Sequence, residues 1–211
     1  MKAPDMFNQR SSNTASPNTP DAPAPPAGYQ LRSVVRYPVV VVTVTSAAIF
    51  FITTPLFIWL AWRLQAVSSH PFLLPLTIED SFLALAGSIA TVGIHELTHI
   101  LILRAYGYKT SCGVAWRQFA VYAAAFGQWQ PRQRALLVTL APLVVITALS
   151  LPLLAVADRS LVVLGFSALL TNTSGAAGDL FIAWRLLQLP RNTLIYDVDP
   201  TQMLIFALRN P

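Results

Sequence analysis

Four long, largely apolar stretches set the pattern of the chain, at about 37–62, 81–105, 135–157 and 161–187. Each has roughly the 20 residues that a helix needs to cross the hydrocarbon core of a bilayer. The first opens at Tyr37 and closes on Trp59 and Trp62, aromatic residues suited to the headgroup level, with Pro55 as a kink whose freed carbonyl a neighbouring helix can satisfy. The third holds Thr139, Thr147 and Ser150 as its polar residues, together with Pro142 and Pro152, and reads as a packing helix. The fourth is different. Its centre, Thr171-Asn172-Thr173-Ser174-Gly175-Ala176-Ala177-Gly178-Asp179, is polar, broken by glycine and ends in an acid at membrane depth. Intramembrane carboxylates are costly and face a partner or a watery cavity.

Between the second and third stretches, 107–133 is too apolar for a plain loop and too short for another span. Its runs 114–119 and 120–126 read as strands of a short β-hairpin or as a re-entrant segment, with an interfacial segment anchored by Trp116, Tyr122 and Trp129 as the plainer reading. Residues 1–31 are rich in Ser, Asn, Thr, Ala and Pro, lack the apolar core of a signal peptide and read as a disordered tail. The expected fold is therefore an all-α membrane protein: four transmembrane helices with one hairpin or re-entrant segment, forming a single domain over 32–211.

Composition sharpens this reading. Hydrophobic residues make up 55% of the chain and charged residues 11%, which sets it apart from soluble domains. The single cysteine, Cys112, excludes an internal disulfide and a thiolate zinc cluster, so a metal would have to be held by histidine and carboxylate. The net charge of +5 does not form a nucleic-acid-binding stripe, because the basic residues flank the apolar spans. With the N-terminus in the cytoplasm, only Arg63 and Arg159 of the 14 basic residues fall on the far side. The bias of basic residues towards the cytoplasm thus predicts a multi-pass protein of the cell membrane with both termini cytoplasmic.

The second span carries the candidate chemistry, His95-Glu96-Leu97-Thr98-His99. On a helix, His95 and His99 lie four positions apart on one face and can grip one zinc ion, with Glu96 beside them as general base. Two histidines need a third protein ligand to leave a catalytic position open. Asp179 is the candidate: the motif centre at Leu97 and Asp179 each lie eight residues, about 12 Å, from the inner ends of their spans. Asp197 and Asp199 follow Pro190 in a stretch that reads as a polar tail, where they would be solvated or capping, and Asp158 belongs to the opposite end. Asn172, Gly175 and Asp179 share a helical face, where Asn172 could serve an oxyanion or a substrate strand, or act as interhelical glue. Thr98 is expected to bond a backbone carbonyl.

These residues resemble the putative zincin peptidases, small multi-pass membrane proteins related to the site-2 class of intramembrane metalloproteases. The resemblance covers about 80–200 and rests on His95 to His99, on Arg134 to Pro142 opening the third span, on the polar break from Asn172 to Asp179, and on Leu189-Pro190 followed by Asp197. It implies Asp179 as third zinc ligand and Asn172 as a substrate or transition-state contact. The site-2 motif, an asparagine, a proline and then aspartate-glycine, is altered here: the proline is missing and Asp179 is preceded by Gly178 and followed by Leu180.

The expected function is hydrolysis of peptide bonds in transmembrane or membrane-associated protein substrates, catalysed by Glu96 and Asn172 around a zinc held by His95, His99 and Asp179. A strand edge in 107–133 could hold the unwound substrate by strand addition. A homo-oligomer is compatible with the sequence. The rival is a non-catalytic zinc-binding membrane protein that binds partner helices, with His70 closing the metal shell; a metal transporter would need further ligands that the first and third spans lack.

Overall fold

The computed structural model describes residues 24–67, 76–116 and 120–209. In chain order its elements are β1 (Tyr29–Arg36), α1 (Val39–Val67), α2 (Ile78–Ala105), β2 (Ser111–Ala115), β3 (Ala120–Ala124), β4 (Trp129–Pro131), α3 (Arg132–Ser150), a 3-10 turn (Leu151–Ala155), α4 (Arg159–Gly175), α5 (Ala177–Leu187), β5 (Leu194–Asp199) and β6 (Gln202–Leu208). Three helices, α1, α2 and α3 with its 3-10 extension, are long and apolar enough to cross a membrane; α4 and α5, bent by 46° at their junction, qualify together as a fourth. Large apolar side chains remain on their outer faces, with Phe51 73% and Leu149 69% exposed. Such faces suit hydrocarbon better than water.

The ends of α2 are firmly defined. Thr77 caps its start, accepting a hydrogen bond from the Asp80 amide at 3.2 Å while the Asp80 carboxylate accepts one from the Thr77 amide at 2.7 Å. At its other end Gly107 adopts φ +83°, and the amides of Gly107 and Tyr108 return to the carbonyls of Arg104 and Leu103. This is a glycine-dependent stop, since a side chain is strained at that φ. Asp80 also receives the Arg159 guanidinium, with Nε 3.0 Å from Oδ1, which ties the start of α2 to the start of α4.

Helix α4 is the central column. It packs against α1, α2, α3 and the 3-10 turn, and its Val162, Leu169 and Asn172 are fully buried. Small residues let its neighbours approach. A Cβ on Gly165 would lie 2.6 Å from Leu153 Cβ, and one on Gly87 of α2 would lie 2.7 Å from Ser167 Oγ.

Strands are more extensive than the sequence predicts. The hairpin between α2 and α3 forms as β2 and β3, paired antiparallel from Ser111↔Ala124 to Ala115↔Ala120. A second, four-stranded antiparallel sheet has the order β1-β6-β5-β4. The all-α expectation is corrected to a helical bundle with two small sheets. The assigned tail gives up its last residues to β1, which begins at Tyr29, while residues 1–23 lie outside the described residues. The stretch after Pro190, expected as a polar tail, is the β5–β6 hairpin. The physical reason is non-local pairing: β1 meets β6 more than 160 residues along the chain, so neither strand is a stable unit by itself. One sheet face buries Val35, Ile195, Met203 and Ile205 against Ala135 and Leu186 of α3 and α5. On β4, Trp129 packs against Tyr196 and Phe206, with ring centroids 5.0 and 4.8 Å apart.

The sheet joins the strand before α1, the strand before α3 and the hairpin after α5. The starts of α1 and α3 and the end of α5 therefore share one end of the bundle, and the Asp80–Arg159 pair marks the other.

Gly165→Ala is expected to destabilise the bundle by about 1–3 kcal/mol, because its methyl has no room against Leu153. Gly93→Ala, whose added Cβ meets nothing within 4 Å, is expected to change stability by less than about 1 kcal/mol. Unfolding in mild detergent, followed by circular dichroism, compares the two.

Candidate metal centre

His95 and His99 are buried on the inner face of α2, with ring centroids 5.1 Å apart. Each imidazole is fixed through Nδ1: that of His95 lies 3.0 Å from Asn172 Oδ1 on α4, and that of His99 lies 3.0 Å from the Val138 carbonyl on α3. Both partners are acceptors, so each Nδ1 carries the hydrogen, which in the neutral imidazole leaves the lone pair on Nε2. Those lone pairs converge on Asp179. Its Oδ2 is 2.9 Å from His95 Nε2 and 3.5 Å from His99 Nε2.

Three acceptor atoms brought this close repel one another unless a cation lies among them. Ligands of a tetrahedral zinc at about 2.0–2.1 Å are separated by about 3.3 Å, which the two observed distances bracket. The donor set therefore fits zinc. Among the described residues, His95, His99 and Asp179 are the group whose ligand atoms lie within 4.8 Å of one another. His70, the alternative fourth ligand, lies outside the described residues.

The break between α4 and α5 puts Asp179 in place. Helix α4 stops at Gly175 and α5 restarts at Ala177, so Asp179 sits in the first turn of a new helix, where its charge faces the positive end of the helix dipole. Ser46 of α1 donates to the Ser174 carbonyl at 2.8 Å, satisfying one of the groups near the break. Tyr37 enters there too. Its hydroxyl fills the space of a side chain at Gly178, where a Cβ would lie only 1.6 Å from it. At the far end of α5, Arg132 donates to the carbonyls of Leu186 and Leu187 at 2.5 and 3.2 Å, fixing the helix end.

A cavity of about 570 Å³ opens over this cluster, lined by Tyr37, His95, Glu96, Tyr122, Asn172 and Asp179 among others. The Glu96 carboxylate is half-buried and faces the Ala123 backbone N–H on β3. Val42 and Thr43 of α1 and Thr91 and Val92 of α2 line it as well. Helix α1 packs chiefly on α4, α5 and the 3-10 turn, leaving the cavity to separate it from α2. Behind His99 and Asp179 lies a smaller cavity of about 110 Å³, walled by Gln130 and Asp197.

Asp197 differs from its expected solvated role. Its carboxylate accepts a hydrogen bond from Gln130 Nε2 at 3.0 Å, and burial pushes its pKa up to about 6 against that bond. Burial, together with the nearby carboxylates of Asp179 and Glu96, raises the Tyr37 phenol well above the usual range. Asp199 caps its own turn, accepting from the Thr201 amide and hydroxyl at 2.6 Å each, and Asp158 caps α4 at the opposite end. Thr98 donates to the Ile94 carbonyl at 2.8 Å.

The structure thus brings His95, His99 and Asp179 together and sets Glu96 beside them. Asn172 is close but differently employed: with Oδ1 on His95, its Nδ2 donates to the Leu143 carbonyl and Thr147 Oγ1, each at 3.3 Å. Its amide orients the histidine and holds α3, rather than pointing at a substrate oxygen. Sequence reasoning missed the metal-site surroundings supplied by Tyr37, Val138 and Asp197. A signal for Asp197 existed in two apolar runs flanking Pro200-Thr201, the mark of a hairpin.

Asn172→Ala is expected to weaken zinc binding about 10–100-fold while leaving the three ligands in place, as measured by competition with a chelating dye. Asp197→Asn tests the buried acid through pH. Because its folded pKa is raised above 3.8, the native state holds more protons than the unfolded one between about pH 4 and 6, and stability falls as pH rises through that window. The variant should therefore melt higher than wild type at pH 7.5 and equally at pH 3.5.

A family model described as putative zincin peptidase matches residues 88–194, half of the chain and the stretch that holds His95, Glu96, His99, Asn172 and Asp179. No curated protein and no solved structure matches the chain. The paired histidines, the carboxylate beside them and this match agree, and the chain belongs to the putative zincin peptidase family.

Proposed function

We propose that this chain is a multi-pass membrane protease of the site-2 kind, cleaving peptide bonds in transmembrane or membrane-associated proteins from the cytoplasmic side of the cell membrane. The observation that carries the reading is the convergence of two imidazoles and the Asp179 carboxylate on the wall of a cavity lined by α1, α2, α4, α5 and the strands beside them. Zinc bound there supplies Lewis acidity and brings the ionisation of water near neutral pH. Glu96 lines the same cavity and takes the proton from the attacking water, later returning it to the leaving amine. Asn172 and the Val138 carbonyl hold the two imidazoles in the tautomer that ligation needs.

Substrate handling follows from the walls. The edge of β3 runs past Glu96 and offers backbone groups to an extended peptide, the form in which a helix must be presented for cleavage. The gap between α1 and α2 offers such a segment a lateral way in. The sheet end of the bundle, which holds the cavity, also carries Arg32, Arg36, Lys109, Arg132 and Arg134, and the positive-inside rule supports a cytoplasmic position for it.

Glu96→Gln is expected to bind one zinc per chain, as in wild type, and to lose at least about 100-fold in kcat. Metal content by mass spectrometry and cleavage of fluorescein-labelled β-casein in detergent give the two readouts. Undiminished cleavage would remove Glu96 from the mechanism. Wild-type protein with zinc but no cleavage, together with loss of zinc in His70→Ala, would favour a closed structural site.

A further inference from the structure

We infer that the Tyr37 hydroxyl is the hydrogen-bond donor to the oxyanion that forms on the substrate carbonyl. The inference rests on the protease reading above and adds a residue outside the matched stretch of 88–194.

Peptide hydrolysis needs such a donor. When water attacks, a C–O bond forms, the carbonyl π pair moves onto oxygen and Glu96 takes the proton. The new negative charge then needs a positioned donor that transfers no proton of its own. Asn172, the residue whose type suggests this task, has its amide engaged by His95, Leu143 and Thr147. Three further hydroxyls on the cavity wall are spent on main-chain carbonyls or a nearby carboxylate, Ser46 on Ser174, Thr91 on Gly87 and Thr201 on Asp199, and that of Tyr122 lies over Gly113 of β2.

Tyr37 has the chemistry and the placement. A phenol is protonated at neutral pH and donates readily. Its hydroxyl lies against Gly178, the residue immediately before Asp179, and its ring lines the cavity that Glu96 and His95 also face. It is held rigidly as well. The Tyr37 amide donates to the Thr201 carbonyl at 2.9 Å, Pro38 restrains the chain that follows, and the ring meets Phe181 edge-on at 6.3 Å. The absence of a side chain at Gly178 is what admits the hydroxyl so close to the ligand helix. A donor fixed before the charge develops is the kind that stabilises a transition state.

Tyr37→Phe removes the hydroxyl and adds no atom, so the fold and the metal should persist. With fluorescein-labelled β-casein as substrate, kcat is expected to fall about 100–1,000-fold with little change in KM and one zinc still bound per chain. A second measurement is independent of turnover. N-phosphoryl-Leu-Trp, whose phosphoryl oxygens imitate the tetrahedral oxyanion, should bind the variant at least about tenfold more weakly than wild type, whereas the product-like dipeptide Leu-Trp should bind both alike. If kcat stays within threefold, or both ligands keep their wild-type affinities, Tyr37 is a packing residue and the inference is overturned. A wild type that neither holds zinc nor cleaves would instead overturn the protease reading, and the donor role with it.

Discussion

The arrangement depends on one constraint: two buried imidazoles and a half-buried carboxylate meet among apolar helices, where an unsatisfied polar atom is costly. Each imidazole Nδ1–H has a partner drawn from a different helix. Asn172 of α4 receives one Nδ1–H, a main-chain carbonyl of α3 receives the other, and the carboxylate rides at the start of α5. The site is therefore also the contact where four helices meet.

The bend of 46° between α4 and α5 starts a new helix whose first turn carries Asp179. Asn172 on α4 and Asp179 on α5 both reach His95, one at each ring nitrogen. The break exposes backbone groups that water would otherwise satisfy, and Ser46 takes up the Ser174 carbonyl from a third helix. Gly178 adds the space through which a side chain from the start of α1 reaches the same region.

The readable part of the chain was the part governed by local rules. Helical spans show in runs of apolar residues, and the pairing of His95 with His99 shows in a four-residue spacing that needs no tertiary knowledge. Asp179 could be placed by depth because both spans are measured from the same end. The four-stranded sheet was not legible, since β1 and β6 acquire meaning only when joined across the whole chain. For the same reason Asp197 read as a surface acid, although the sheet turns it inward towards Gln130. Asn172 was recognised as important, but an amide looks the same in sequence whether it holds a substrate or a histidine. Only the direction of its two ends tells them apart.

The pairing of β1 with β6 sets an order of events during synthesis. Strand β1 leaves the ribosome before α1, yet its partner β6 is made after α5. Until that late strand arrives, the segment bearing Tyr37 lacks both the sheet and the Thr201 carbonyl that anchor it. The histidine helix can be in place while the rim of the cavity is still unformed. A nascent chain thus keeps the cavity incomplete until β6 is made, and that strand closes it.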